Sequence, residues 1–157
     1  MSAFLLDTGF LISLMGAERP NHTAAFDYFR LAIAKNLPLY VSTIALSEFH
    51  QKQSINDLPL RHLIVLPFNI DHAMKTGELL AKLARDAGDQ RARVIDDLKM
   101  LAQASCESIP YILTEDQSTL QKYAKRFSEA GLCRVTPILL VDGFDSAWFN
   151  GGQAQID

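Results

Sequence analysis

The sequence predicts an α/β protein, with a mostly parallel central sheet of four to five strands covered by helices on both faces. Two observations carry that prediction. Short apolar runs alternate along the chain with longer stretches whose apolar residues recur at helical spacing. The chain holds 157 residues, about one domain. Composition agrees: 48% hydrophobic, 21% charged, with only 8 Gly and 6 Pro, which excludes disordered, collagen-like and disulfide-scaffold chains.

The first apolar run, 3–6, is ended by Asp7 and has the length of a buried strand. Thr8 and Gly9 punctuate, and 10–15 suits a short helix. Pro20 and Asn21 open a second helical stretch, with Ala24, Ala25, Tyr28, Ala32 and Ile33 at helical spacing, stopped by Asn36 and Pro38. Residues 39–41 read as a strand, and Ser42 or Thr43 can cap a helix over 44–51. The polar segment 53–60 reads as a loop and 63–68 as a strand. Asn69 or Asp71 then caps a helix reaching Ala87 and closed by Gly88. A helix over 90–105, a strand over 110–113 and a last helix to Ala130 follow. Residues 133–141 hold a further strand, which Pro137 splits or confines to an edge. The sequence thus divides into a domain over 1–141 and a tail over 142–157, either partner-contacting or flexible. Leu58, Trp148 and Phe149 can serve an interface or pack back on the domain.

The net charge of −3 does not mark a nucleic-acid binder by its total. Cys106 and Cys133 lack metal-ligand or redox spacing and read as buried thiols of a reducing compartment. No apolar window reaches the ~18 residues of a membrane span, and the first apolar run, interrupted by Asp7, lacks a basic flank. A cytoplasmic protein is expected.

In open α/β sheets, ligands gather beyond the carboxyl ends of the strands. Asp7 follows the first strand there, and Asp116 follows the strand ending at Leu113, with Thr114 between. Glu48 lies in the second turn of the helix after the strand 39–41. Each has a plainer reading. Asp7 and Asp116 suit helix caps, and Glu48, inside an apolar helix face, can be compensated by a Lys or Arg. On the helix 90–105, the stripe Val94, Leu98, Leu101 puts Asp97 at its edge and turns Asp96 toward solvent. A solvated charged turn is the plainer reading of that pair.

Carboxylates meeting in one place repel, by about 4 kcal/mol for two unit charges ~4 Å apart at an effective dielectric near 20. Such a cluster persists by binding protons or a cation, and an all-oxygen set suits Mg²⁺ or Mn²⁺ over zinc. His22, His50, His62 and His72 show no metal-binding spacing.

The segments LLDTGFLISLM (5–15), STIALSEFH (42–50), DLKMLAQA (97–104) and ILTEDQSTL (112–120) resemble, in order and separation, the motifs of PIN-domain nucleases, and most of all the VapC-type toxins of toxin–antitoxin pairs. The resemblance spans roughly residues 3–141. It implies a PIN-like three-layer α/β/α sandwich and an acidic metal site of Asp7, Glu48, Asp97 and Asp116, with Thr114 as a supporting hydroxyl. The implied activity is Mg²⁺- or Mn²⁺-dependent hydrolysis of RNA phosphodiester bonds, and the implied partners are an RNA substrate, a small antitoxin and a second copy of the chain. Gly9 departs from the pattern, since many relatives carry Asn there. The segment 53–60 and the tail after Val141 have no clear counterpart.

Setting the four acids aside leaves 15 basic against 14 acidic side chains. Lys122, Lys125, Arg126 and Arg134 stand against Glu129 alone in their stretch, and Arg91, Arg93 and Lys99 flank Asp97. These are candidate phosphate contacts, or else a solvated basic face. Three alternatives remain. One is a catalytically silent PIN-like module that binds RNA or protein, and another is a housekeeping PIN nuclease without an antitoxin. A phospho-acceptor domain is disfavoured, because Asp7 stands alone after its strand and no Lys follows the last strand.

Overall fold

A computed structural model describes residues 2–151. In chain order the elements are β1 (Phe4–Leu6), α1 (Thr8–Met15), α2 (His22–Ala34), β2 (Leu39–Ser42), α3 (Thr43–His50), β3 (Ile64–Leu66), α4 (Ile70–Ala81), α5 (Arg91–Cys106), β4 (Tyr111–Thr114), α6 (Leu120–Glu129) and β5 (Thr136–Leu139). Every strand pair is parallel, and the sheet order is β3-β2-β1-β4-β5. β1 lies at the centre, with Leu5 opposite Tyr40 of β2 on one side and Ile112 of β4 on the other.

The alternation of side chains along a strand divides the core into two layers. Phe4 and Leu6 face a cluster with Phe10, Leu11, Tyr28, Ala45 and Phe49 from α1, α2 and α3. Leu5 faces the other way, toward Leu79, Leu98, Leu101, Tyr123 and Phe127 from α4, α5 and α6. β1 is buried on both sides, which is why it reads as an unbroken apolar run. The result is the three-layer PIN-like α/β/α sandwich. No helix among the described residues is long and apolar enough to cross a membrane.

Two expectations change in detail. The helix expected to reach Ala87 stops at Ala81, and residues 82–90 form an extended loop. Tertiary ion pairs override local propensity there: Lys122 Nζ reaches Asp86 at 2.9 Å and Asp89 at 2.6 Å, and Arg126 reaches Asp86 at 2.8 Å. Lys122 and Arg126 therefore hold the α4–α5 loop against α6 and do not form the free basic face read from their own stretch. Pro137 sits within β5, at the edge of the sheet, where its missing N–H costs no ladder bond on the open side.

Segment 53–60 contributes to two 3-10 turns, Ile55–Asp57 and Leu60–His62, and buries Leu58. Beyond Val141 the chain folds back on the domain as far as it is described. Phe149 joins the core cluster and Trp148 packs against it. The Tyr28 hydroxyl donates to the Gly143 carbonyl at 3.3 Å and accepts from the Asp145 N–H at 3.1 Å. Residues 152–157 lie outside the described residues.

Candidate active site

The strand order reverses direction between β1 and β4: β2 and β3 add on one side, β4 and β5 on the other. Beyond the carboxyl ends of these two strands lies the crevice where ligands bind in open α/β sheets. A cleft of about 570 Å³ opens there, lined by Asp7, Glu48, Asp96, Asp97, Glu115 and Asp116. Thr8, Gly9, Arg93 and the apolar Ile44, Ala45 and Met100 complete much of its wall. The four acids singled out in the sequence thus share one cleft, and Thr114 lies buried beneath it.

Asp7 is placed by two demands at once. As N-cap of α1 it accepts the Phe10 N–H at 2.7 Å, and its other oxygen takes the Thr114 hydroxyl. The cap reading and the cleft reading are therefore both true of one side chain. Burial pushes the Asp7 carboxyl up to about 7, against the lowering effect of Thr114 and Phe10, and nearby Glu115 and Asp116 add to the rise. Asp97 is likewise pushed up to about 7 by burial, opposed by its bond from Thr119. Asp96 is half-exposed, 4.0 Å from Lys99 Nζ, at the rim of the same cleft.

Glu48 projects from α3 and accepts the Thr8 hydroxyl at 2.9 Å. No Lys or Arg pairs with it among the described residues, so the salt-bridge explanation for its place on an apolar face does not hold.

Asp116 is the most heavily bonded of the four. One oxygen accepts the Ser118 N–H at 2.8 Å, the Ser118 hydroxyl at 3.0 Å and the Thr119 N–H at 3.2 Å, and lies 3.4 Å from Arg93 Nη2. The other accepts the Leu120 N–H at 3.2 Å and lies 2.7 Å from the Thr119 hydroxyl that it shares with Asp97. Burial works against the charge, but these donors prevail and hold the carboxyl well below the usual carboxylate range. A carboxylate offers about four lone-pair sites, and those of Asp116 are used up. Its chemistry suits an acid that acts through a water or organises the loop, whereas Glu48 and Asp97 each keep an oxygen without a protein partner among the described residues.

Sequence reasoning missed three residues. Thr8 and Thr119 bond Glu48 and Asp97, yet a threonine beside or shortly after an acid at a helix start reads as ordinary capping. Glu115 also lines the cleft and is tied back by the Ser13 hydroxyl, Asn21 and Arg19. Its signal was the departure at Gly9: a Cβ there would stand 3.1 Å from Glu115 Cβ and 3.2 Å from Oε2.

The donor set is all oxygen, which fits a hard divalent cation. Among the described residues, no three of these side chains stand close enough together to hold one ion.

Sheet order and cleft position define a PIN-like α/β/α sandwich, and the solved structures this chain is similar to include toxin–antitoxin proteins. A VapBC2 complex from Rickettsia felis, bound to a promoter DNA fragment, matches with 19% identity and a TM-score of 0.59, covering 87% of this chain and 98% of that one. FitAcB from Neisseria gonorrhoeae matches with 16% identity and a TM-score of 0.63, covering 88% and 98%. VapC20 from Mycobacterium tuberculosis, a toxin that cleaves the sarcin–ricin loop, matches with 20% identity and a TM-score of 0.56, covering 86% and 100%. No family model and no curated protein matches the chain. At these identities the likeness is one of fold.

Proposed function

We propose that this chain is a divalent-metal-dependent ribonuclease, the toxin component of a toxin–antitoxin pair. One observation carries the reading: Asp7, Glu48, Asp97 and Asp116, from four separate segments, line a single cleft at the strand-order reversal. The fold shared with VapC proteins supports it. Asp7, Glu48 and Asp97 would turn toward one or two Mg²⁺ or Mn²⁺ ions to hold them directly, and Asp116 would act through water. Bound there, such ions supply an ionised water and a counter-charge for the phosphoryl oxygens.

The chain's own residues do the rest. Thr114 fixes one oxygen of Asp7 while accepting the Asp116 N–H at 2.9 Å, so the two acids keep a set separation. Ile44, Ala45 and Met100 give the cleft a partly apolar wall. Arg93, largely exposed and 3.4 Å from Asp116, would meet an RNA phosphate. A small antitoxin and a second copy of the chain are the protein partners this reading brings, and the cytoplasm is its compartment.

A silent binding module is the second reading, favoured by the saturated Asp116 and its pairing with Arg93. One experiment separates the two. Purified protein is incubated with end-labelled RNA and Mg²⁺ or Mn²⁺, with and without chelator, beside Asp7→Asn and Asp97→Asn. Metal-dependent cleavage that both variants abolish is expected. RNA binding without cleavage selects the silent module, and cleavage unchanged in both variants removes the site.

A further inference from the structure

Each of the three acids assigned to direct metal contact is bonded by one threonine hydroxyl: Asp7 by Thr114, Glu48 by Thr8 and Asp97 by Thr119. For Glu48 and Asp97 that hydroxyl is the only hydrogen-bond partner of the carboxylate among the described residues. It engages a single oxygen in each case, Oε2 of Glu48 and Oδ2 of Asp97, and leaves the other oxygen without a protein partner.

A threonine at a helix start ordinarily bonds the first turn of its own helix. Neither of these does. The N-cap of α1 is Asp7, which takes the Phe10 N–H, so the Thr8 hydroxyl is free to cross to α3. Thr119 stands at the N-cap position of α6 but makes no capping bond with its side chain. Asp116 accepts the Thr119 and Leu120 N–H groups in its place. The Thr119 hydroxyl is thereby released to lie between Asp97 of α5 and Asp116, 2.7 Å away, with its one proton to give to either carboxylate, although the residue is only 4% exposed. Both helix starts are capped by a neighbouring aspartate, and both threonines turn their hydroxyls to an acid on another helix.

We propose that Thr8 and Thr119 are positioning residues that orient Glu48 and Asp97 so that one oxygen of each is presented to a divalent cation. The inference rests on the metal-site reading above and deepens it. A carboxylate fixed through one oxygen needs less ordering when it takes up an ion, and partners of this kind typically contribute 10–100-fold in affinity or activity.

The test is Mn²⁺ binding to the full chain without RNA, followed by the paramagnetic resonance signal of free Mn²⁺, for wild type, Thr8→Val, Thr119→Val and the two Ser variants. Valine keeps the shape and removes the donor, while serine keeps the donor. Weakening of about 10–100-fold in each Val variant, with Ser close to wild type, is expected. A residue that only packs would tolerate Val, lose melting temperature in Ser with its missing methyl, and leave the Mn²⁺ affinity unmoved in both. That outcome, or Val variants that bind as wild type does, overturns the inference and leaves the metal site standing. A wild-type chain that binds no Mn²⁺ overturns the metal site itself, and this inference with it. Thr8 is only partly buried, so Thr8→Val reports on the tether even where Thr119→Val folds poorly.

Discussion

The central strand β1 has two very different ends only three residues apart. At its amino end the Phe4 ring packs on Tyr111, with centroids 5.7 Å apart, and on Phe149 at 5.0 Å, while Trp148 meets Tyr111 edge-on at 5.2 Å. At its carboxyl end stands Asp7, in a cleft with five other acids. Aromatic burial at the first end stabilises the fold without directional demands. At the second, burial of the Asp7 and Asp97 carboxylates opposes the fold, and their hydroxyl and N–H partners offset only part of that cost. Such placement makes sense where an end of the sheet is kept for chemistry.

The largest effect expected from this contrast is at the aromatic end. Phe149 is 6% exposed and touches Phe4, Tyr28 and Phe144, so Phe149→Ala should cost about 3–5 kcal/mol in denaturant unfolding. Mn²⁺ affinity per folded molecule should not change. An unfolding midpoint that stays put would mean that residues 142–151 are not part of the core, and the two-ended description would fail.

The second effect has the opposite sign. The Asp7 and Asp97 carboxyls stand near 7 in the folded chain, above the ordinary carboxylate range, because burial disfavours their charge. Stability linked to their neutral form is complete below that ordinary range and is lost as the pH rises through about 7. Asp7→Asn and Asp97→Asn remove this loss. In metal-free buffer both variants should melt above wild type at pH 8 by a few degrees, and the gap should close on acidification. Asp7→Asn surrenders part of its gain, since its amide no longer accepts at both positions. Variants that melt below wild type across the whole range would show that the acids are structural. A gain in stability with loss of cleavage is the trade expected of a functional site.

Much of this contrast is legible in the sequence, because it is written in local terms. Apolar runs broken by Gly and Pro give the strand and helix order, and the rule that acids just past parallel strands face the crevice brings Asp7 and Asp116 together. The helical stripe through Val94, Leu98 and Leu101 finds Asp97, beside Thr119, but it turns Asp96 to solvent, whereas Asp96 stands half-exposed at the rim of the same cleft. What is not legible depends on partners far along the chain. The capture of Lys122 and Arg126 by Asp86 and Asp89 ends α4 early, across more than 30 residues of sequence, and no local propensity foretells it. Thr8 and Thr119 are hidden for another reason: their spacing fits a cap as well as a tether, and only the positions of Phe10 and Leu120 N–H groups decide between them.

The smallest effect concerns the wall of the cleft, where Gly9 lies under Glu115. Inside a helix, alanine is favoured over glycine by about 1 kcal/mol, so Gly9→Ala at an open site would stabilise α1. Here the new Cβ would stand 3.1 Å from Glu115 Cβ, 3.2 Å from Oε2 and 3.3 Å from Cγ, and Ser13, Asn21 and Arg19 keep the Glu115 side chain from swinging away. The propensity gain should therefore be largely cancelled in the wild-type background. Glu115→Ala removes two of the three close contacts and retains the Cβ, so Gly9→Ala should recover part of its gain there. A four-member unfolding cycle should show a coupling of about 0.5 kcal/mol or more between the two positions. Strict additivity would mean that Glu115 gives way freely, and the absence of a side chain at position 9 would then owe nothing to the acid above it.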